Sequence, residues 1–208
     1  MFQNLMLSNP MLSNLMLSSR SNARHVLAGL LGLALAATAA VADARVRSVT
    51  DPDAPRSLPA EGPVSVRWTD PSQFTELRTS GNRFEARRGD WVTDLAEHLR
   101  EAAQKRLAPG QRMDVEITDI RRAGMYEPWR GISMQDVRIM RDIYPPRVTL
   151  SFRVTDADGR VVDEGERKLV DSSYLMRSSI FNDSDSLRYE KAMIDRWLRD
   201  ELPATPAA

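Results

Sequence analysis

Residues 147–170 read RVTLSFRVTDADGRVVDEGERKLV, and the fold follows from how this stretch alternates. Val148, Leu150, Phe152 and Val154 alternate with Thr149, Ser151 and Arg153, the period of a strand with one buried face. Asp156-Ala157-Asp158-Gly159 supplies turn chemistry, so Arg160 to Val170 returns as the second arm of a β-hairpin. Past Asp163 the returning strand is polar on both faces (Glu164, Glu166, Lys168), as an exposed edge strand is. Neither nitrogen of Pro145-Pro146 can donate to a ladder, so the hairpin starts after them.

Outward from the hairpin, two more strands show the same period. Val64-Ser65-Val66-Arg67-Trp68 is one, closed by the turn residues Thr69-Asp70-Pro71, and Met113, Val115 and Ile117 mark the other. Between them Trp91, Leu95, Leu99, Ala102 or Ala103, and Leu107 recur at helical spacing, with Asp90 at the N-cap position and Pro109-Gly110 as the stop. A last helix is expected after Asp183 to Ser186, with Leu187, Ile194, Trp197, Leu198 and Leu202 on one face and Pro203 as its end. Arg78 to Arg88 reads as a polar loop and Ile120 to Ser133 as irregular. Gln135 to Ile143 fits either a strand or one helical turn. The expected class is α+β, a mostly antiparallel sheet with two main helices packed on one face. One domain is expected over 64–202, after a disordered arm at 43–63 and before a disordered tail at 203–208.

The chain has 208 residues, and its first 42 read as a targeting segment. Arg20 and Arg24 precede the uncharged run Val26 to Ala42, VLAGLLGLALAATAAVA, which closes on Ala40-Val41-Ala42; Ala42-Asp43-Ala44 offers a second site. A basic start, an apolar run and an A-x-A site make a secretory signal peptide over 1–42. An uncleaved anchor is the other reading, but a spanning helix wants about 20 strongly apolar residues, and this run is shorter and rich in alanine. Asn4-Leu5-Met6-Leu7-Ser8 recurs as Asn14-Leu15-Met16-Leu17-Ser18, which suits an overlong leader or a start at Met11 or Met16. The expected location is periplasmic, with no membrane anchor after cleavage.

There is no cysteine, so lipid attachment, disulfides and thiolate chemistry are closed. Of 29 basic side chains the leader holds two, Arg20 and Arg24, which leaves 27 against 29 acids in the remainder. That near balance does not point to nucleic acid as a partner. All but Lys105, Lys168 and Lys191 of those bases are arginine, yet pairs such as Arg87-Arg88 and Arg121-Arg122 never build into a basic block.

Catalytic and cofactor motifs are missing: no G-x-S-x-G elbow, no H-E-x-x-H, no P-loop. No catalytic residue, metal ligand set or cofactor is therefore assigned. His98 is the one histidine beyond the leader. Asp94 and Glu101 can share its helix face, but zinc wants three or four ligands in fixed geometry, and a solvated face accounts for the trio. Asp156 and Asp158 lack the later ligands of a calcium loop. Ser172-Ser173 and Ser178-Ser179 have no histidine near them in sequence.

Several separated motifs occur in order: Val64-Ser65-Val66-Arg67-Trp68-Thr69-Asp70-Pro71 with Phe74; Tyr126-Glu127-Pro128-Trp129-Arg130-Gly131; Asp142-Ile143-Tyr144-Pro145-Pro146-Arg147; Leu175-Met176-Arg177; and Tyr189-Glu190-Lys191. Together they resemble the family called domain of unknown function 3016, from about Val64 to Leu198. The resemblance implies an exported protein of Gram-negative bacteria without an assigned activity, and it carries over no functional residue. Glu76 departs from it, standing where the family pattern has Asp.

The segment from Tyr126 to Arg147 concentrates aromatic and charged residues on irregular backbone. Its candidate binding residues are Tyr126, Glu127, Trp129, Arg130, Asp142, Tyr144 and Arg147; Arg138 and Arg141 lie among them, and Arg153 and Arg177 can join. Aromatics and arginines on a loop held by a scaffold are how binding surfaces are built. The plainer reading has the aromatics packing the loop onto the sheet and the charges pairing with one another. Two function classes stay open. One is a non-catalytic envelope module binding another protein, a glycan or an anionic envelope component through this segment, where Arg130 and Arg147 can grip a carboxylate or phosphate. The other is a periplasmic hydrolase working through paired carboxylates.

Overall fold

A computed structural model describes residues 47–177 and 184–202, with Arg177 described for its backbone alone. The leader, residues 43–46, the stretch holding Ser178-Ser179 and Asp183, and the tail from Pro203 lie outside the described residues. In chain order the elements are β1 (Val64–Trp68), α1 (Thr75–Thr79), α2 (Arg83–Arg87), α3 (Trp91–Gln104), β2 (Arg112–Arg121), β3 (Met125–Tyr126), β4 (Arg138–Ile139), β5 (Arg147–Thr155), β6 (Val161–Val170), α4 (Tyr174–Arg177) and α5 (Arg188–Glu201).

The fold is α+β. The main sheet runs β1-β2-β5-β6, with β1 parallel to β2 and the other pairs antiparallel. Helix α3 lies in the connection from β1 to β2, and such a crossover is what lets two successive strands run parallel. The hairpin β5–β6 forms as its alternation predicts, with Gly159 at φ 79° in the turn, a conformation that suits glycine. One sheet face is apolar: Val66, Trp68, Val115, Ile117, Leu150 and Phe152 form a single cluster with Trp91, Leu95 and Leu99 of α3 and with Ile194, Trp197 and Leu198 of α5. Trp197 meets Phe152 edge-on, ring centres 5.7 Å apart, the geometry that ring quadrupoles favour. The other face is polar and shapes an open depression of about 810 Å³ lined by Arg67, Asp114, Glu116, Ser151, Arg153 and Glu164, among others. Among the described residues no helix is long and apolar enough to cross a membrane.

Several local readings change or sharpen. The stretch Arg78 to Arg88 is not all loop, because α1 and α2 bury Leu77 and Ala86 with Tyr126 in a second small cluster. Two apolar residues nine apart show no period, but Asn82 caps α2 by accepting from the Glu85 N–H at 3.2 Å. Within Gln135 to Ile143 the strand reading holds for two residues, β4, which pairs with β3. Asp90 sits at the start of α3 but spends its carboxylate on Arg47 at 2.9 Å and makes no side-chain bond to the helix N–H groups. His98 is tied to Asp195 of α5 at 2.8 Å and so bridges the two main helices across their seam.

Part of the stretch read as an arm lies against the domain. Leu58 is buried in the main core, its N–H donates to the Val66 carbonyl at 3.0 Å, and the Trp68 N–H donates to Arg56 at 2.9 Å. These bonds cover the outer edge of β1, which a single leucine among Pro, Asp and Arg gives no period to reveal.

Candidate functional site

Between β2 and β5 the chain leaves the sheet, makes the small β3–β4 pair and returns through Pro145-Pro146. Buried carboxylates hold this excursion in place. Glu127 is completely buried. One of its oxygens accepts from the Tyr144 hydroxyl at 2.7 Å and from Arg141 at 3.2 Å, and the other accepts from Arg130 Nε. Local geometry makes this possible. Pro128 opens a 3₁₀ turn, Pro128–Arg130, that carries Arg130 back over Glu127, and Gly131 at φ 110° leads into a second turn, Ile132–Met134. The Tyr144 hydroxyl, then Arg130, holds the Glu127 carboxyl below the usual range, and the same bond pushes the Tyr144 phenol up.

A second carboxylate, Glu76 of α1, is 5% exposed and ties the root of the excursion to that helix. It accepts from the Arg122 backbone N–H at 2.9 Å and from that guanidinium at 3.0 and 3.2 Å, and it also accepts from Arg138 Nη2. Arg122 lies over the Trp91 ring at 4.5 Å and Arg138 over the Tyr126 ring at 4.7 Å. Arg138 also donates to the carbonyls of Ala123 and Gly124, each at 3.1 Å. The third carboxylate, Glu190 of α5, is 1% exposed; one oxygen accepts from the Ala123 N–H at 2.5 Å, and the other has no hydrogen-bond partner among the described residues. Burial pushes its carboxyl pKa up.

The structure divides the residues singled out from the sequence. Glu127, Arg130 and Tyr144 come together, with Arg141 as a fourth member. Tyr126 is buried and belongs to the Glu76 cluster, so it supports the surface from beneath. Trp129 is 67% exposed and faces outward. Asp142 is exposed and accepts from the Ile143 N–H at 2.9 Å, fixing its own turn. Arg147 stands on the polar sheet face opposite Arg121. Arg153 lies on that face too, paired with Glu164 at 2.9 Å, and the Arg177 side chain lies outside the described residues.

Sequence reasoning passed over Glu76, Arg122 and Glu190. Glu190 was readable: it falls one turn before Ile194 on the buried face of α5, where a charged residue needs a reason. Around the Glu127 cluster further apolar side chains stand open, Ile132 at 87%, Ile143 at 59% and Met176 of α4 at 90%. The Tyr174 hydroxyl donates to the Arg141 carbonyl at 2.7 Å and so fastens α4 to the same scaffold.

A family model described as Protein of unknown function (DUF3016) matches residues 62–200. No curated protein and no solved structure matches the chain.

Proposed function

The chain belongs to that family, and we propose that it is a non-catalytic binding module of the cell envelope. One observation carries the reading. Trp129, Ile132, Ile143 and Met176 are exposed apolar side chains on segments pinned from beneath by Glu127, Tyr144 and Tyr174. Apolar groups held in place before binding lose little entropy on contact, and tryptophan and arginine are enriched where interfaces gain most of their energy. Arg130 and Arg141 both share Glu127 yet keep 45% and 46% of their side-chain surface open. Three of the four apolar groups are aliphatic, which suits a protein partner better than a sugar ring, whose apolar face stacks on aromatics. The partner is an envelope protein with an apolar patch fringed by carboxylates. The hydrolase reading needs carboxylates that face each other, whereas Glu76 and Glu127 are each occupied by two arginines.

The test places a photo-cross-linking residue at Ile132, or at Glu166 as a control on the polar sheet face, in the full-length chain in living cells. The Ile132 site is expected to trap one protein, with trapping reduced by Trp129→Ala. Equal adducts from both sites, or none from Ile132, overturn the reading. Export rests on the leader sequence and gives a mature N-terminus at Asp43 or Arg45 without lipid. Mass analysis of the envelope fraction checks it, and an N-terminus upstream of Val26 overturns it.

A further inference from the structure

We propose that Arg121 and Arg147 form a phosphate-binding fork on the polar face of the sheet. The two residues are direct partners across β2 and β5. Their neighbours Ile120 and Val148 point into the core, at 0% and 1% exposure, so both arginines stand on the opposite face. Opposed side chains there have Cβ atoms about 4.5–5.5 Å apart, and like charges so placed weaken the strand pair.

The rest of this face shows how such charge is usually satisfied. Arg67 pairs with Glu116 at 3.0 Å and Arg153 with Glu164 at 2.9 Å, each across a strand. Arg121 and Arg147 have no counterpart: among the described residues neither side chain makes a hydrogen bond, an ion pair or a ring contact. Asp119, two residues before Arg121, has both oxygens on Thr75, at 2.6 Å to its N–H and 2.7 Å to its hydroxyl. Lys168, one row along and opposite Thr149, has a carboxylate of its own in Glu166 at 3.7 Å. Arg147 follows Tyr144 by three residues, and the Glu127 carboxylate to which Tyr144 donates is already shared by Arg130 and Arg141. Among the described residues nothing answers these two adjacent cations.

The chemistry selects the ligand. Each guanidinium presents a planar fork of donors, and a phosphate has oxygens enough to meet two forks. A phosphate monoester carries about −1.5 to −2 charges at neutral pH, close to the two positive charges it would face. A carboxylate brings one charge and fills one fork. The inference goes beyond the apolar surface proposed above and uses none of its residues.

Thermal melting of the full-length processed protein tests it, with inorganic phosphate compared against acetate and chloride at matched ionic strength. Phosphate is expected to raise the melting temperature of the wild type, acetate to do so far less, and Arg121→Gln/Arg147→Gln to lose the phosphate shift. Titration should show the double variant binding phosphate at least about tenfold more weakly, the equivalent of one strong charge-assisted bond. A second arm uses sedimentation with vesicles of phosphatidylcholine alone or with added phosphatidic acid, whose headgroup is a phosphate monoester. Binding to the phosphatidic acid vesicles alone, without a free-phosphate shift, assigns the phosphate to a lipid headgroup. In chloride the double variant should melt no lower than wild type, because the repulsion is gone. Arg147→Lys keeps the charge but not the fork, so it should fold as wild type and reduce the shift. Trp129→Ala should leave the shift intact, so this inference and the apolar surface fail separately. No response to phosphate or anionic vesicles, an equal response to acetate, or a response kept by the double variant overturns it.

Discussion

Glu76 and Arg122 lie 46 positions apart and meet through three hydrogen bonds, from the arginine backbone N–H at 2.9 Å and from its guanidinium at 3.0 and 3.2 Å. Arg138 completes the set, and both guanidinia are largely covered, with side-chain exposures of 12% and 15%. Removing the carboxylate strands two cations in a poorly solvated place, and breaking a buried pair in this way costs about 3–5 kcal/mol. Glu76→Ala is therefore expected to destabilise the domain by that order in chemical denaturation. Glu76→Asp keeps the charge and should cost less. A loss for Glu76→Ala below about 1 kcal/mol, the level of an exposed pair, contradicts this account.

The second prediction separates core from seam. Leu99 is fully buried among the sheet residues, and truncating such a leucine costs about 2–5 kcal/mol. His98 contributes one bond to Asp195 with side-chain exposures of 26% and 41%, a setting where an ion pair gives less than about 1 kcal/mol. Leu99→Ala should lower the melting temperature sharply and His98→Ala only slightly. The reverse order would mean that the helix seam, not the sheet face, holds α3.

These clusters show which parts of the molecule were legible in advance. The β5–β6 hairpin and α3 were readable because period two and period 3.6 are local and each repeats several times. The excursion was readable as a concentration of Tyr126, Trp129, Arg130 and Tyr144, but not in its orientation. Two 3₁₀ turns joined at Gly131 have no period that says which side chain turns inward. Glu76 and Arg122 were illegible as a pair, since nothing local to either announces a partner on a distant element.

The third prediction concerns acid and base. Burial raises the Glu190 carboxyl above its ordinary value of 4.5, so the folded state holds that proton more tightly than the unfolded chain does. Stability from this group is full below 4.5 and is lost as pH rises from there through the raised folded value. Glu190→Gln keeps an acceptor for the Ala123 N–H and cannot ionise. Melting temperature followed over about pH 4 to pH 8 should fall with pH more steeply for wild type than for the variant. Parallel curves would show that Glu190 does not titrate across this range.

Glu127 predicts the opposite slope. Its bonds from Tyr144, Arg130 and Arg141 hold its carboxyl below 4.5, so its contribution is present above that value and is lost as pH falls through the depressed one. Glu127→Gln should remove this acid limb and lower the melting temperature at neutral pH. Tyr144→Phe deletes the first of those bonds, so the two substitutions act on one unit and their combined effect should fall short of their sum. The loss should also be local. With the carboxylate gone, nothing returns Arg130 over residue 127, and amide hydrogen exchange across the turns Pro128–Arg130 and Ile132–Met134 should quicken while β2 and β5 stay protected. Additive effects, or unchanged exchange in those turns, would mean that Trp129 and Ile132 are held by something other than this buried carboxylate.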